Sequence, residues 1–293
     1  MPNLYRLTLW LVLACGLSAC VPRQLLINSA ADAWTAPGQV EEEDIGLARE
    51  ASAFYLKLSE TLLRQTPGHL PLAEAVASGL TQYAYAFVAF DAERLFSTDA
   101  KAAHQQNERA RRLYKRAQRH AMNALELASP GFAASLNAGA GKPPWVLKPE
   151  QLGVAYWAAA SWGACIALSK DDPDTVADLP LVVQLAQAVW RASPSFGEGA
   201  AASLMGNLEA ARPGGSALQA AAYFDQAIAA SGGQNPAPHV AKAEAVAQPA
   251  GDRQAFEAML QKALLLSAQR TDLSSQIMRQ RAQWLLANVD DLF

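Results

Sequence analysis

The densest group of residues that could bind a metal ion is a run of four carboxylates within eight residues. These are Asp171, Asp172, Asp174 and Asp178, in the segment SKDDPDTVADLP. Carboxylate oxygens suit a hard cation, but the glycine and the distal glutamate of a calcium-binding loop are missing. Hydrogen bonding at helix ends explains the group better, and we expect Asp178 to cap a helix that begins at Leu179. The segment predicts no metal site.

Nucleophiles and catalytic bases are scattered along the chain. The histidines are His69, His104, His120 and His239, and they form neither an HExxH pair nor a Cys/His metal cluster. A GxSxG elbow and a phosphate-binding glycine loop are also missing. Cys165 lies in the apolar segment WGACIAL, which is typical of a small core residue. The sequence therefore predicts no catalysis and no cofactor, with an enzyme of unrecognised site as an alternative.

Two groups of aromatic residues could line an apolar groove. The first group is Tyr83, Phe87 and Phe90, and the second is Tyr156, Trp157 and Trp162. Residues three and four apart share one face of a helix, and aromatic rings fill a core or line a ligand pocket. Both readings stay open, and the candidate ligand-binding residues are Tyr83, Phe87, Trp157 and Trp162.

A basic stripe runs along one predicted helix. Its members are Arg109, Arg112, Arg116 and Arg119, in the segment ERARRLYKRAQRH. Such a stripe is either a solvated face or a docking surface for an acidic partner. We treat the four arginines as candidate partner-docking residues.

Helices are the elements that must position these residues. The chain is rich in Ala, Leu and Gln, and Pro/Gly-rich breaks separate segments of helical length. The predicted helices are 44–64, 69–90, 92–128 with a break near 100, 150–169, 178–192, 196–211, 216–231, 236–247, 252–267 and 272–289. They pair as five hairpins. Ser195 with Glu198, Asn235 and Asp252 are the predicted start signals of three of them.

A degenerate repeat appears in the C-terminal half. Small and large apolar residues recur at offsets 0, 4 and 7 with a period near 34 residues, as in tetratricopeptide-type helix pairs. The three sets are Ala186, Trp190 and Ser193; Ala220, Phe224 and Ala227; and Phe256, Leu260 and Ala263. The predicted fold class is all-α, a tetratricopeptide-like repeat of helical hairpins, with an irregular helical bundle as the alternative.

The N-terminus predicts a secretory signal. Arg6 precedes a short apolar run that is too short to cross a bilayer, which needs roughly 20 apolar residues. The run ends in Leu17-Ser18-Ala19-Cys20, which resembles the bacterial lipobox. That resemblance implies cleavage before Cys20 and acylation of its thiol. Val21, where an Asp would favour the inner membrane, points to the outer membrane.

The mature chain would be acidic and free of disulfides. Without Arg6, 23 basic side chains face 27 acidic ones, a balance that argues against nucleic acid as a partner. Only Cys165 accompanies Cys20 after cleavage, so packing must supply the stability. The predicted domains are a signal peptide at 1–19, a tether at 20–43 and an all-helical body at 44–293.

Several blocks of sequence resemble the TatT family, the periplasmic lipoproteins associated with TRAP (tripartite ATP-independent) transporters. The blocks are TQYAYAFV, DAERLF, RARRLYKRAQ, ASWGACIALSKDDPDTVADLP and QRAQWLLANVDDLF. The resemblance implies an all-helical fold of tetratricopeptide-like hairpins. It also implies a homo-oligomer, with a trimer described for the fold, and work beside a periplasmic solute-binding protein.

The sequence and the resemblance together predict a lipid-anchored periplasmic accessory protein of a TRAP system, held at the outer membrane. It would dock a periplasmic solute-binding protein and pass an apolar ligand. The alternative is a structural scaffold lipoprotein of the outer membrane without a ligand.

Overall fold

A computed structural model describes residues 23–35, 44–138 and 146–293, and these residues form helices and no strand. The helices are α1 Arg23–Trp34, α2 Ile45–Gln65, α3 Leu70–Ala84, α4 Phe90–Leu95, α5 Ala100–Ala128, α6 Phe132–Asn137, α7 Leu152–Ala167, α8 Pro173–Val176, α9 Leu179–Ala192, α10 Phe196–Ala211, α11 Ala217–Ala230, α12 Ala237–Lys242, α13 Arg253–Ser267, α14 Leu273–Ala287 and α15 Val289–Leu292. Two π-helical segments, Tyr85–Ala89 and Ala243–Ala247, follow α3 and α12 without a break. A 3-10 turn at Pro149–Gln151 precedes α7. Cys20 lies outside the described residues.

Most helices begin at the residues that the sequence predicts. The side chain of Asp99 accepts a hydrogen bond from Ala102 N at 2.9 Å, so α5 starts beyond the predicted break. The side chain of Asp252 accepts one from Ala255 N at 2.9 Å in the same way. The segment predicted as a tether contains α1.

The predicted capping box at Ser195 and Glu198 is wrong. Gly197, Glu198 and Gly199 all have left-handed φ, at 58°, 54° and 91°, so the first turn of α10 is not a regular right-handed turn. The side chain of Ser195 consequently makes no capping hydrogen bond. A Cβ on Gly199 would lie 2.4 Å from the carbonyl oxygen of Ala227, because α10 and α11 approach closely there.

The hairpin repeat predicted from the C-terminal half is present. Helix α9 pairs with α10, α11 with α12, and α13 with α14. The repeat positions Ala220, Phe224 and Ala227 are completely buried, and so are Phe256, Leu260 and Ala263. Burial of a large apolar side chain contributes roughly 1.5–3 kcal/mol, so these positions stabilise the last two hairpins, whereas Trp190 of the first set is only half-buried. The fold is all-α, built from helical hairpins.

Small residues let three helices meet at the centre of the N-terminal half. Ala117, Ala121 and Ala124 on α5 are completely buried between α3 and α7. Alanine at these positions lets the helix axes approach closely. The arrangement fixes the spacing between α3 and α7, which form two walls of the site described below.

The C-terminal hairpin closes back onto the N-terminal helices. Ile277 of α14 is buried together with Ala48 of α2 and Phe87. The rings of Phe90 and Trp284 meet edge to face with centroids 5.6 Å apart. The described helices therefore form a ring around a central hollow instead of an open solenoid.

Candidate functional site

The helices of the ring line a cavity of about 810 Å³ that is partly open to solvent. Its walls come from α2, α3 with the first π-helical segment, α5 at Tyr114, α7, α10, the start of α12 and α14. A volume of this size suits a small organic ligand. A second hollow of about 710 Å³ lies beside α9, and among the described residues no aromatic side chain lines it.

Aromatic rings line much of the central cavity. Tyr83 and Phe87 meet with centroids 5.5 Å apart on one wall. On the facing wall, the ring of Tyr156 lies 4.9 Å from that of Trp157 and 5.2 Å from that of Phe196. The structure therefore brings together three of the four candidate residues, Tyr83, Phe87 and Trp157.

Trp162, the fourth candidate, does not line the cavity. It is only 9% exposed and packs in the main core. Five residues separate it from Trp157, which places it roughly 140° farther around α7. The proposal of Trp162 as a groove residue is therefore corrected to a core position.

A π-helical segment shapes one wall. The N–H of Phe90 donates to the carbonyl of Tyr85, five residues earlier. Tyr83, Tyr85 and Phe87 all line the cavity, although residues two apart in a regular α-helix point in roughly opposite directions. The wider π-turn changes the register of the wall, and such turns are frequent at functional sites. No local sequence signal predicted this turn.

Beside this wall lies a buried charged group that ties the ring together. Arg281 Nη2 lies 2.5 Å from Glu244 Oε1, and its Nη1 lies 2.6 Å from Glu93 Oε2. Burial opposes the positive charge of Arg281, but Glu244, Tyr85 and Glu93 together outweigh it and raise the arginine pKa. Burial also raises the pKa of Tyr85 and Tyr114, which line the cavity and stay neutral phenols.

One carboxylate in the cavity wall lacks a partner. Glu74 of α3 makes neither a hydrogen bond nor an ion pair with any described residue, and burial raises its pKa. A Cβ on Gly153 would lie 1.9 Å from Glu74 Oε2, so the carboxylate rests on the backbone of α7. Glu74 was not among the residues that the sequence predicted.

The four arginines of the basic stripe have different environments. Arg109 Nη2 lies 3.3 Å from the hydroxyl of Tyr83, to which it donates. Arg116 pairs with the buried carboxylate of Glu60, which also lies 3.0 Å from His120 Nε2. Arg112 and Arg119 are exposed and form no ion pair in the described part of the chain. Arg116 is thus engaged inside the protein, and the other three arginines face outward.

The remaining polar residues that the sequence singled out have structural contacts. Asp172 caps α8 through a hydrogen bond from Thr175 Oγ1 at 2.7 Å and one from its backbone N–H. The predicted cap at Asp178 is wrong, because Asp178 stands at the N-terminus of α9 but its side chain makes no capping hydrogen bond. Cys165 is buried, and burial raises its pKa, which disfavours a thiolate. Among the described residues, no three metal-ligating side chains come together.

None of the helices in the described ranges combines the length and the apolarity that crossing a bilayer requires.

Comparisons with known proteins assign the chain to a family. An uncharacterized protein of Treponema pallidum (strain Nichols) is 30% identical over 266 residues, which are 86% of this chain and 81% of that protein. A thermophilic TPR protein of Thermus thermophilus has 20% identity and a TM-score of 0.38, over 67% of this chain and 97% of the other. The family model of the TRAP transporter T-component matches residues 41–293. The chain therefore belongs to the TRAP transporter T-component family, which has an accessory role in TRAP uptake systems.

Proposed function

We propose that this chain is a periplasmic accessory protein that holds an apolar ligand in its central cavity beside a TRAP solute-binding protein. The observation that carries the proposal is the aromatic cavity of about 810 Å³ between the helices of the ring. Aromatic rings supply large apolar contact area. The described groups around the cavity do not form a nucleophile and base pair, so the proposed mechanism is binding without bond chemistry.

A pair of tryptophan variants tests the ligand role. Trp157→Ala removes a ring from the cavity wall, and we expect it to weaken the binding of the apolar dye Nile red without unfolding the protein. Trp190→Ala is the matched control, because Trp190 packs against Tyr223 with centroids 5.4 Å apart and does not line the cavity. Dye titrations and thermal melts of both variants are compared. A Trp157→Ala variant that melts far lower and binds the dye as before would make Trp157 a core residue.

We further propose that the exposed arginines Arg109, Arg112 and Arg119 form the docking surface for an acidic face of the solute-binding protein. Support comes from their exposure along one face of α5. Charge complementarity of this kind steers association and weakens with salt. The double variant Arg112→Glu and Arg119→Glu should abolish co-elution with the solute-binding protein encoded nearby. Unchanged co-elution of that variant would place the docking surface elsewhere.

The proposed lipid anchor at Cys20 would hold the body close to the membrane. Helix α1 begins at Arg23 and docks on the body, since Trp34 Nε1 donates to Ser59 Oγ at 2.9 Å and Asp32 lies 2.9 Å from His69. Two residues then separate the anchor from α1, and a chain of this length reaches at most roughly 10 Å. We expect Cys20→Ser to leave a soluble or unprocessed product. Membrane attachment of a mature Cys20→Ser protein would refute the anchor.

We also propose that the chain forms a homo-oligomer, with a trimer as the expected form. Support comes from exposed apolar side chains along α2, with Phe54 67% exposed, Leu47 55% and Leu58 41%. Their spacing places all three on one face of the helix, and a second copy of the chain can bury them. Light scattering should find a smaller species for Phe54→Asp than for the wild type. Equal masses would remove this face from the interface.

A further inference from the structure

Glu74 differs from the other glutamates that are shielded from solvent, because its carboxylate has no partner. Two glutamates of the described ranges are buried, and each has an arginine partner: Glu60 pairs with Arg116, and Glu209 with Arg212. Glu93, whose pKa burial also raises, pairs with Arg281. Glu74 is half-buried, and among the buried or half-buried glutamates of the described ranges it alone has no hydrogen-bond or ion-pair partner. Such a group costs free energy unless something donates to it.

The Glu74 carboxylate lies against the backbone of α7 in the cavity wall. Position 153 is glycine, and any larger residue there would displace the Glu74 carboxylate, because a Cβ would lie 1.9 Å from Oε2. Glycine therefore lets the carboxylate reach across from α3 to α7. Both helices form walls of the cavity, and Glu74 itself lines it. A donor bound in the cavity therefore lies beside the Glu74 side chain.

An apolar track leads away from this carboxylate along α7. Trp157 follows Gly153 by one helical turn, and Ala160 and Ala164 continue on the cavity side. From position 153 to position 164 the helix rises roughly 16 Å. The track ends towards Tyr85 and Tyr114, which also line the cavity. One end of the cavity thus has a negative acceptor, and its length suits a medium-length alkyl chain.

We propose that the cavity takes a cationic amphiphile whose amine donates to Glu74 and whose apolar body lies along Trp157, Ala160 and Ala164. The proposal rests on the proposed function of the cavity and names the class of its ligand. An alkylamine satisfies the orphaned carboxylate, whereas a fatty acid places a second carboxylate against it. A hydrogen bond between two charged groups is about twice as strong as a neutral one, so a charged head group gains more than a hydroxyl.

Displacement of Nile red from the purified full-length protein tests the proposal. The competitors are dodecylamine, dodecanol and lauric acid, each kept below its micelle concentration. We expect dodecylamine to displace the dye at a roughly tenfold lower concentration than lauric acid, as expected for one charged hydrogen bond. Glu74→Gln should abolish this preference and leave displacement by dodecanol unchanged. Glu50→Gln is the matched control, because Glu50 is exposed on α2 outside the cavity and its variant changes the net charge equally.

The possible outcomes separate the two proposals. Equal displacement by amine and acid, tighter binding of the acid, or a preference that survives in Glu74→Gln overturns the cationic ligand and leaves the apolar cavity standing. Loss of the preference in Glu50→Gln as well would assign it to overall charge and also overturn the role of Glu74. If neither the dye nor any competitor binds the wild-type protein, both the cavity function and the ligand class fail.

Discussion

The variant Arg116→Met tests whether Arg116, unlike the exposed arginines of the basic stripe, stabilises the fold. Arg116 pairs with Glu60, whose side chain is only 1% exposed and also contacts His120. Burial alone would raise the pKa of Glu60, but the hydrogen bonds from His120 and Arg116 outweigh it and lower the pKa from 4.5 to about 2. Methionine keeps the apolar stem and removes the charge, so Arg116→Met leaves the buried carboxylate with His120 at 3.0 Å and the exposed Lys57 Nζ at 3.5 Å.

The size of the effect follows from the pKa of Glu60. A fall from 4.5 to about 2 corresponds to about 3 kcal/mol of folding free energy, at ~1.4 kcal/mol for each pH unit. The side chains of Arg116 and His120 are 32% and 26% exposed, so solvent screens part of this interaction. We therefore expect Arg116→Met to cost about 2 kcal/mol at pH 7. For a chain of this length the melting temperature would fall by roughly 4–8 °C.

The lowered pKa of Glu60 determines how the stability lost in Arg116→Met changes with pH. A carboxylate with a lowered folded-state pKa contributes its stability above the unfolded-state value, and the contribution is lost as the pH falls from 4.5 towards 2. The gap between wild type and Arg116→Met should therefore be full at pH 7 and narrow below pH 4.5. Thermal melts followed by circular dichroism across this range measure it. In a Glu60→Gln background the same arginine change should cost less.

Arg112→Met is the matched control, since Arg112 is exposed on the same helix and forms no ion pair in the described ranges. It should melt like the wild type. The reasoning fails if Arg116→Met and Arg112→Met melt alike at pH 7, or if the gap persists unchanged at pH 3.

The other predictions concern the ring, a close helix contact and the cavity carboxylate. Arg281→Met should cost about 3 kcal/mol in urea unfolding, because the arginine is 8% exposed and its loss leaves Glu93 and Glu244 without their cation; an unchanged midpoint would contradict this. Gly199→Ala should cost more than about 2 kcal/mol, since φ is 91° and the new Cβ would meet the backbone of Ala227. Gly214→Ala, where φ is 70° and nothing lies within 4 Å, should cost only about 1 kcal/mol, and equal costs would refute the role of the contact. Glu74→Gln should melt above the wild type at pH 8 and equal to it at pH 4, because a raised carboxyl pKa destabilises the fold only as the pH rises through it.

Much of the fold could be predicted from local patterns. The start of α5 at Asp99 and that of α13 at Asp252 follow from single capping side chains, whose acceptors reach only N–H groups three residues ahead. The repeat positions around Phe224 and Phe256 follow from helical spacing, and both residues are completely buried. The left-handed turn at residues 197–199 could not be predicted so, because it depends on how closely α11 approaches Gly199.

The candidate site could likewise be predicted only in part. Spacing alone placed Tyr83 with Phe87 on one helix face, because residues four apart lie above one another. The sequence could not show which face of α7 borders the cavity. In the structure, Trp157 lines the cavity and Trp162 packs in the core. The sequence also could not show that Arg116 pairs with Glu60, 56 residues earlier, or that Glu74 lies in the cavity wall without a partner. The sequence determined the helices because their hydrogen bonds are local, and the tertiary structure decided the site because partners and cavities depend on the relative positions of distant helices.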